Sequence, residues 1–230
     1  MESPIVLVTG AGGALGRAVR ERLTADGVRL ALLDRRVPSG DAKGADADAP
    51  WAAAVDLLDE AAVADAVARV ESELGPVRAA LLLAGGFGTA PAAETDLTTL
   101  RGQLDLNLAT AASVVRALLP HMTKRGEGTI IGIAAGQARR GGSGAAAYAA
   151  SKAALAAYLR AVDEETASHG VRTVTVFPMG TLDTPANREA MPGADPARWI
   201  DPERLADVLA FAARIGPRAR LREVELHPDG

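Results

Sequence analysis

Short hydrophobic runs alternate along the 230-residue chain with longer segments in which Leu, Val and Ala recur at helical spacing. The runs are rich in β-branched residues and predict seven strands, over residues 5–9, 29–34, 52–55, 79–84, 129–134, 173–177 and 221–226. The helical spacing predicts helices over 14–24, 59–74, 96–121, 145–168 and 202–215. Asp59 and Asp96 stand where N-caps are expected, and Pro202 stands in a first helical turn.

Short apolar strands that alternate with helices are typical of a parallel sheet covered on both faces. The chain contains no internal repeat of fixed period. We therefore expect one doubly wound Rossmann-type α/β domain over residues 1–230, with a seven-stranded parallel sheet and helices on both faces. The stretch 35–50 is rich in Gly, Asp, Pro and Ala and is predicted to be a loop.

Composition excludes several classes of function. With 48% hydrophobic and 23% charged residues the chain is not disordered, and without cysteine it has no disulfide, thiol nucleophile or Cys-ligated metal. Its three histidines are far apart in sequence, so we expect no metal site. The net charge of −4 gives no basic footprint for nucleic acid, and no apolar stretch is long enough for a membrane span. The amino terminus has no signal-peptide pattern, so we expect a cytoplasmic protein.

The first strand runs into the turn Thr-Gly-Ala-Gly-Gly-Ala-Leu-Gly at residues 9–16, and a helix follows. Gly10, Gly12, Gly13 and Gly16 in this context predict a site where backbone N–H groups and a helix N-terminus bind a pyrophosphate. A turn that uses its glycines only for close packing is the alternative.

Two aspartates follow strands on the same side of the predicted sheet. Asp34 ends the second strand, where a carboxylate can bind both ribose hydroxyls and repel a 2′-phosphate, so we expect NAD(H) to be preferred. Arg35 and Arg36 could instead face a 2′-phosphate, which leaves NADP(H) as a second possibility. Asp56 ends the third strand and is a candidate for the adenine amino group, although it could equally be a turn or capping residue.

Tyr148 and Lys152 lie four residues apart at the start of the long helix after the fifth strand, on one helix face. A nearby ammonium group stabilises a phenolate, so we expect Lys152 to lower the pKa of the Tyr148 phenol below its ordinary value of about 10, which suits a general acid beside a hydride donor.

These residues occur in the order and spacing of the short-chain dehydrogenases/reductases, which the chain resembles over its full length. The resemblance implies that Tyr148 is the proton donor, that Lys152 also binds the nicotinamide ribose, and that Asn107 holds a relay water. It implies a small-molecule substrate and a homodimer or homotetramer formed through helices 96–121 and 145–168. Further residues would contact the cofactor: Ala14, Leu15, Leu57, Ala84, Gly85, Gly86, Pro178, Thr181 and Leu182.

The chain departs from the family pattern at three positions. Ala14 replaces the middle glycine of the turn, and Leu83 replaces an asparagine before Ala84. Ala135 occupies the place of the catalytic serine, thirteen residues before Tyr148. The loss of one donor to a developing oxyanion typically costs on the order of 10²–10³ in rate, so an ordinary ketone is a poor expected substrate. Nothing in the sequence shows that Ser143 takes over this role.

The dihydropteridine reductase branch resembles the chain at the same unusual positions. It shares Gly-Ala-Leu-Gly at residues 13–16, the missing serine and the string Thr-Leu-Asp-Thr-Pro-Ala-Asn-Arg at residues 181–188. The resemblance implies a substrate lid over 179–200 and substrate contacts from Phe87, Ala135, Met179 and Trp199. The branch usually has Trp where this chain has Phe87, and residues 178–180 are one residue longer here.

The sequence therefore predicts an NADH-preferring reductase that acts on a quinonoid dihydropteridine or a similar conjugated imine or carbonyl. A carbonyl or 3-oxoacyl reductase is the first alternative. The second alternative is a regulator that senses NAD(H) without turnover, which the missing serine favours and the Tyr148–Lys152 pair opposes.

Overall fold

The apolar runs form seven strands that pair into one parallel sheet in a computed structural model, which describes residues 4–36, 50–216 and 219–229. The strands are β1 (Ile5–Thr9), β2 (Arg29–Asp34), β3 (Trp51–Ala54), β4 (Val77–Leu82), β5 (Gly128–Ile133), β6 (Val171–Pro178) and β7 (Glu223–Leu226). Their order is β3-β2-β1-β4-β5-β6-β7, and every neighbouring pair is parallel. The predicted Rossmann-type α/β fold is confirmed.

Eight α-helices in the described ranges connect these strands. They are α1 (Ala14–Ala25), α2 (Glu60–Glu73), α3 (Leu97–Leu104), α4 (Thr110–Arg125), α5 (Gln137–Arg140), α6 (Ala146–Thr166), α7 (Pro185–Ala190) and α8 (Pro202–Arg214). None of the helices in these ranges is both long and apolar enough to cross a membrane.

Alternation along the strands divides the core between the two faces of the sheet. In β1, Ile5 and Leu7 pack against α2, α4 and α6, whereas Val6 and Val8 pack against α1 and α8. Because successive side chains of a strand point to opposite faces, a strand with helices on both sides is apolar at every position, as β1 is. The chain winds outward from β1 in one direction and from β4 in the other. This arrangement opens a crevice between the carboxyl ends of β1 and β4.

Side-chain caps fix where several helices begin. The carboxylate of Asp59 accepts hydrogen bonds from the N–H groups of Ala61 and Ala62, and Asp96 accepts one from Thr99 at 2.7 Å. Both aspartates are the N-caps that the sequence predicts. Asp201 caps α8 in the same way, in front of Pro202.

The predicted helix 96–121 is interrupted by one wide turn. A π-helical segment, Asp105–Ala109, lies between α3 and α4, and Asn107 at its centre is fully buried. Such wide turns are frequent at functional sites, because they change the direction in which the following side chains point. The helix continues past residue 121 to Arg125 and ends at Gly126, whose φ of 75° is left-handed.

Several predicted boundaries are wrong by one or two residues. The third strand is Trp51–Ala54 rather than 52–55, and the fourth is Val77–Leu82 rather than 79–84. The fourth ends early because the N–H groups of Leu83 and Ala84 bond the Thr9 hydroxyl instead of a strand. The short helices α5 and α7 were not predicted, and residues 37–49 of the predicted loop lie outside the described residues.

Candidate active site

The glycine turn after β1 is shaped by close backbone approach. Gly10 has a φ of 65°, and a Cβ there would lie 2.7 Å from the Ala84 nitrogen. A Cβ on Gly16 would lie 2.4 Å from the Gly10 oxygen, so the first turn of α1 packs directly on the turn. Both positions therefore require glycine. The sequence predicted Ala14 and Leu15 as cofactor contacts, and they are the first two residues of α1.

The carboxylate of Asp34 faces this turn. Its Oδ2 accepts a hydrogen bond from the Gly12 N–H at 2.9 Å, and its Oδ1 accepts one from Arg36 N–H at 3.4 Å. Asp56, the second predicted aspartate, accepts one from Leu58 N–H at 3.0 Å and so orders the turn that precedes α2. Both acids lie at carboxyl ends of strands beside the crevice.

A cleft of about 1210 Å³ occupies the crevice. Nine predicted cofactor residues line it: Gly10, Gly12, Gly13, Asp34, Arg35, Asp56, Leu57, Ala84 and Gly85. Its wall also contains Arg36, which the sequence offers as a group for a 2′-phosphate, and residues that were not predicted to contact the cofactor, namely Arg17, Arg20, Leu58, Leu83, Gly102, Asp105, Leu106 and Thr110. Gly102, Asp105 and Leu106 share one helix face by their i, i+3 and i+4 spacing, but this is not the face that carries Asn107.

Asn107 clamps the segment that follows β4. Its Oδ1 accepts from the Gly86 N–H and its Nδ2 donates to the Gly86 oxygen, both at 3.0 Å. The same Nδ2 faces Ser151 Oγ at 3.1 Å and Gln103 Oε1 at 3.2 Å. Neither Gln103 nor Ser151 was predicted. Gln103 lies one turn before Asn107, and Ser151 lies between Tyr148 and Lys152.

The side chain of Lys152 extends from α6 toward Asn107 and the segment after β4. Its Nζ donates to the Ile133 oxygen at 2.8 Å, and burial lowers the pKa of this ammonium group to about 8. A Cβ on Gly85 would lie 2.7 Å from Asn107 Oδ1 and 3.3 Å from Lys152 Nζ. Gly85 is thus the contact point at which β4, the π-helical segment and α6 meet.

Tyr148 stands one turn before Lys152, with its ring edge-on to Phe87. The two ring centroids are 4.8 Å apart and the planes meet at 85°. Burial raises the pKa of the Tyr148 phenol to about 12, so the predicted lowering of this pKa by Lys152 is wrong for the free protein, and the phenol is protonated at neutral pH. Phe87 itself is 57% exposed, which is unusual for a large apolar side chain. A protonated phenol therefore stands beside an uncovered aromatic surface.

The end of β5 has no hydroxyl at the family's serine position. Ala135 is buried there, and the N–H of the next residue, Gly136, donates to the Pro178 oxygen at 2.8 Å. Ser143 is exposed in the loop before α6. Met179 has its side chain buried among Ala134, Ala156 and Phe177, which gives no support to a substrate contact through that side chain.

Residues 179–200 form a segment that is closed at its base. Ile200 N–H donates to the Thr181 oxygen at 2.8 Å, and Asp183 N–H donates to the Ile200 oxygen at 2.9 Å, on either side of a bridge between Leu182 and Ile200. Trp199 is partly buried at the end of a short 3₁₀ turn. The predicted cofactor role of Pro178, Thr181 and Leu182 and the predicted lid role of this segment stay predictions.

Comparison with known proteins assigns the chain to a family. Residues 4–194 match the family model described as short chain dehydrogenase. The chain belongs to the short-chain dehydrogenases/reductases. It is similar to a 2-dehydro-3-deoxy-L-rhamnonate dehydrogenase (NAD(+)) of a Sphingomonas species, with 32% identity over 78% of this chain and 72% of the relative. It is also similar to the short-chain reductase protein NovJ of Streptomyces niveus, with 31% identity over 93% and 88%.

Solved structures of short-chain dehydrogenases/reductases have the same fold. A putative member from Burkholderia xenovorans superposes with a TM-score of 0.87 at 29% identity, covering 97% of this chain and 94% of the other. The chain is therefore an oxidoreductase of a family that binds NAD(P)(H). The specific likeness to dihydropteridine reductases is not shown by these comparisons.

The residues around the cleft fit a dinucleotide. No side chain in the described ranges caps the amino end of α1, so its first N–H groups remain for a pyrophosphate, with Gly12 and Gly13 beside them. Arg17 adds positive charge to the same wall. Asp34 accepts hydrogen bonds and carries the charge that suits ribose hydroxyls.

Proposed function

We propose that the chain is an NADH-preferring reductase of a flat, conjugated imine or carbonyl compound, with a quinonoid dihydropteridine as the first substrate to test. The observation that carries the proposal is the exposed ring of Phe87 against Tyr148, together with an end of β5 that has Ala135 instead of a hydroxyl. A conjugated heterocycle can stack on an aromatic face, and its reduction at an imine nitrogen does not depend on a serine that holds a carbonyl oxygen.

Tyr148 and Lys152 have different roles in this reaction. A nicotinamide cofactor, when bound, supplies the hydride. Tyr148 holds its proton because burial raises its pKa to about 12, and it releases that proton to the atom of the substrate that gains electron density. Lys152 faces the carboxyl end of β4, where an ammonium group stabilises the phenolate left on Tyr148.

Asp34 supports the preference for NADH. Its carboxylate is held at the glycine turn by the Gly12 N–H and would lie against a 2′-phosphate with the wrong charge. Arg35 and Arg36, which line the same cleft, oppose this preference. Binding constants for NADH and NADPH, measured on the wild type and on Asp34→Ser, decide the question. We expect tighter NADH binding in the wild type and a smaller difference in the variant. Tighter NADPH binding in the wild type would contradict the proposal.

A carbonyl reductase is the second candidate, because a relative with 32% identity bears the name of an NAD(+)-dependent sugar-acid dehydrogenase. Ala135→Ser separates the two. Restoring the hydroxyl should raise turnover of a carbonyl substrate and leave reduction of a quinonoid dihydropteridine unchanged. A panel of 2-oxo acids, 3-oxoacyl thioesters and quinonoid dihydropteridine, followed by NADH absorbance, provides the substrates.

The deciding variant is Tyr148→Phe, which removes the phenolic hydroxyl and keeps the aromatic ring that contacts Phe87. We expect turnover to fall by about 10²–10⁴ with NADH binding retained. The matched control is Tyr158→Phe, the other tyrosine of the chain, which lies on the same helix and is partly buried. Unchanged turnover in Tyr148→Phe would overturn the proposed role. Binding of NADH with no turnover of any substrate would favour the NAD(H) sensor.

We also propose that the protein forms a dimer or tetramer through the helices α3–α4 and α6. Ala112, Ala153, Ala154 and Ala157 on these helices keep part of their surface exposed, and small side chains allow helices to approach closely. Light scattering at micromolar concentration should give a multiple of 23.5 kDa. A monomeric mass would contradict this assembly. A cytoplasmic location remains an expectation from the sequence.

A further inference from the structure

The side-chain amide of Asn107 has one defined orientation. Its oxygen accepts a single hydrogen bond, from the Gly86 N–H, whereas its nitrogen faces three acceptors. Two of these acceptors, the Gly86 oxygen and Ser151 Oγ, belong to the segments that Asn107 joins. The third, Gln103 Oε1, comes from α3, one helical turn earlier.

The orientation decides which Asn107 atom faces Lys152. The Cβ position of Gly85 lies 2.7 Å from Asn107 Oδ1 and 3.3 Å from Lys152 Nζ, so the amide oxygen and the ammonium group border the same space beside Gly85. Lys152 is buried and donates one of its three N–H groups to the Ile133 oxygen. A carbonyl oxygen that borders this space stabilises the charged form through one bridging water, whereas a flipped NH₂ group would oppose it.

Gln103 is itself held in place. A Cβ on Gly88 would lie 2.8 Å from Gln103 Nε2, so the side-chain amide of Gln103 packs against the backbone of the segment after β4. Gln103 also walls a cavity of about 70 Å³, which Thr95, Thr99 and Gly144 line with it. This cavity is large enough for water, so truncation of Gln103 would let water reach Asn107.

We propose that Gln103 is a positioning residue that keeps the Asn107 amide oxygen toward Lys152 and so favours the ammonium form at the site. The consequence of this positioning for catalysis rests on the proposed function. The effect on the protonation of Lys152 does not, because it can be measured without cofactor or substrate. The groups near Lys152 are Tyr148, which lies one turn earlier on the same helix, Asn107 from the π-helical segment, Gly85 after β4 and the Ile133 oxygen from β5. Among the described residues no carboxylate forms an ion pair with it.

The lysine content of the chain makes a direct test possible. The chain has three lysines, Lys43, Lys124 and Lys152, so a protein labelled with ¹³Cε-lysine gives three side-chain signals. The Lys152 signal is the one absent from Lys152→Met. Its titration is then followed by NMR without substrate or cofactor, which keeps this test independent of turnover. The variants are Gln103→Leu, Gln103→Glu and Gly88→Ala, with Thr99→Val as the control that alters the same cavity without contacting Asn107.

We expect opposite shifts from the two substitutions of Gln103. Gln103→Leu removes the acceptor, so the Lys152 pKa should fall by about 0.5–1 pH unit, the equivalent of one ordinary hydrogen bond. Gln103→Glu keeps an acceptor and adds negative charge, so the pKa should rise. Gly88→Ala, which displaces Gln103, should act like Gln103→Leu, and Thr99→Val should match the wild type.

A Lys152 titration that is the same in the wild type, Gln103→Leu and Gln103→Glu would overturn the proposal. Shifts of the same sign in both Gln103 variants would also overturn it. A general loosening of the fold would shift the Lys152 pKa in the same direction in Gln103→Leu and Gln103→Glu, whereas the proposed positioning shifts it in opposite directions. If Gln103→Leu fails to fold, Gly88→Ala and Gln103→Glu still carry the test. Failure of every substrate in the panel would remove the proposed function and leave this measurement intact.

Discussion

Lys152 should make the stability of the protein depend on pH in a defined window. Burial lowers the pKa of its ammonium group to about 8 in the folded protein, from the ordinary value of 10.5 that it regains on unfolding. Between these two values the unfolded chain binds more protons than the folded one, so stability rises with pH. Below about pH 8 both states are charged and the folded protein carries the full penalty, about 3 kcal/mol for a buried group shifted this far.

The matched variant is Lys152→Met, which removes the charge and keeps a side chain of similar length. The free energy of unfolding of both proteins is measured in urea from pH 7 to 10.5, at one protein concentration, by the fluorescence of Trp51 and Trp199. Packing differences give a constant offset between the two curves. We expect the wild type to gain about 3 kcal/mol relative to Lys152→Met as the pH rises from 8 to 10.5.

Tyr148 contributes with the opposite sign and at higher pH. Its pKa is raised to about 12 in the folded protein, so the unfolded chain loses the proton first and stability falls as pH passes 10. Because both proteins contain Tyr148, this contribution cancels in the difference. A difference between the wild type and Lys152→Met that stays constant from pH 7 to 10.5 would refute the argument from burial.

The remaining predictions concern glycines and one buried acid. Gly85→Ala should lower kcat/KM at least tenfold with the fold retained by circular dichroism, because its Cβ displaces Asn107 and Lys152. Gly170→Ala, whose Cβ would lie 2.0 Å from the Gly126 oxygen, should cost well above the roughly 1 kcal/mol of left-handed strain that Gly27→Ala costs in open space. Equal melting curves for these two variants would contradict the clash. Asp163→Ala should destabilise the fold by about 3 kcal/mol in urea, because it leaves Arg220, Arg222 and the Thr173 N–H without their buried partner.

The sequence predicts the sheet well because burial on both faces leaves a strong pattern. β1 and β2 begin and end where their apolar runs do. The end of β4 could not be predicted from local sequence. The N–H groups of Leu83 and Ala84 bond the hydroxyl of Thr9 instead of a neighbouring strand, and Thr9 is 74 and 75 positions away from them. The helix α5 is only four residues long and has no periodicity of its own.

The candidate site likewise has parts that the sequence predicts and parts that depend on the fold. Glycines and acids at strand ends are visible in sequence, because a turn and a charge are local features. The i, i+4 spacing of Gln103 and Asn107 is visible in sequence, but no composition signal marks where the helix takes up the extra residue of the π-helical segment. The edge-on contact of Phe87 with Tyr148 depends on how the segment after β4 is clamped, which only the fold shows.

The wide turn at Asp105–Ala109 also bears on how such a chain could change its role over evolutionary time. Gly102 and Leu106 face the cleft before this turn and Val114 and Leu118 face the core after it, and one inserted residue rotates a helix face by about 100°. A one-codon deletion in this segment would restore a regular helix, turn Asn107 away from Lys152 and leave the sheet and the glycine turn in place. With the proposed roles of Asn107 and Lys152, a single in-frame deletion would therefore separate a catalyst from a protein that only binds nucleotide.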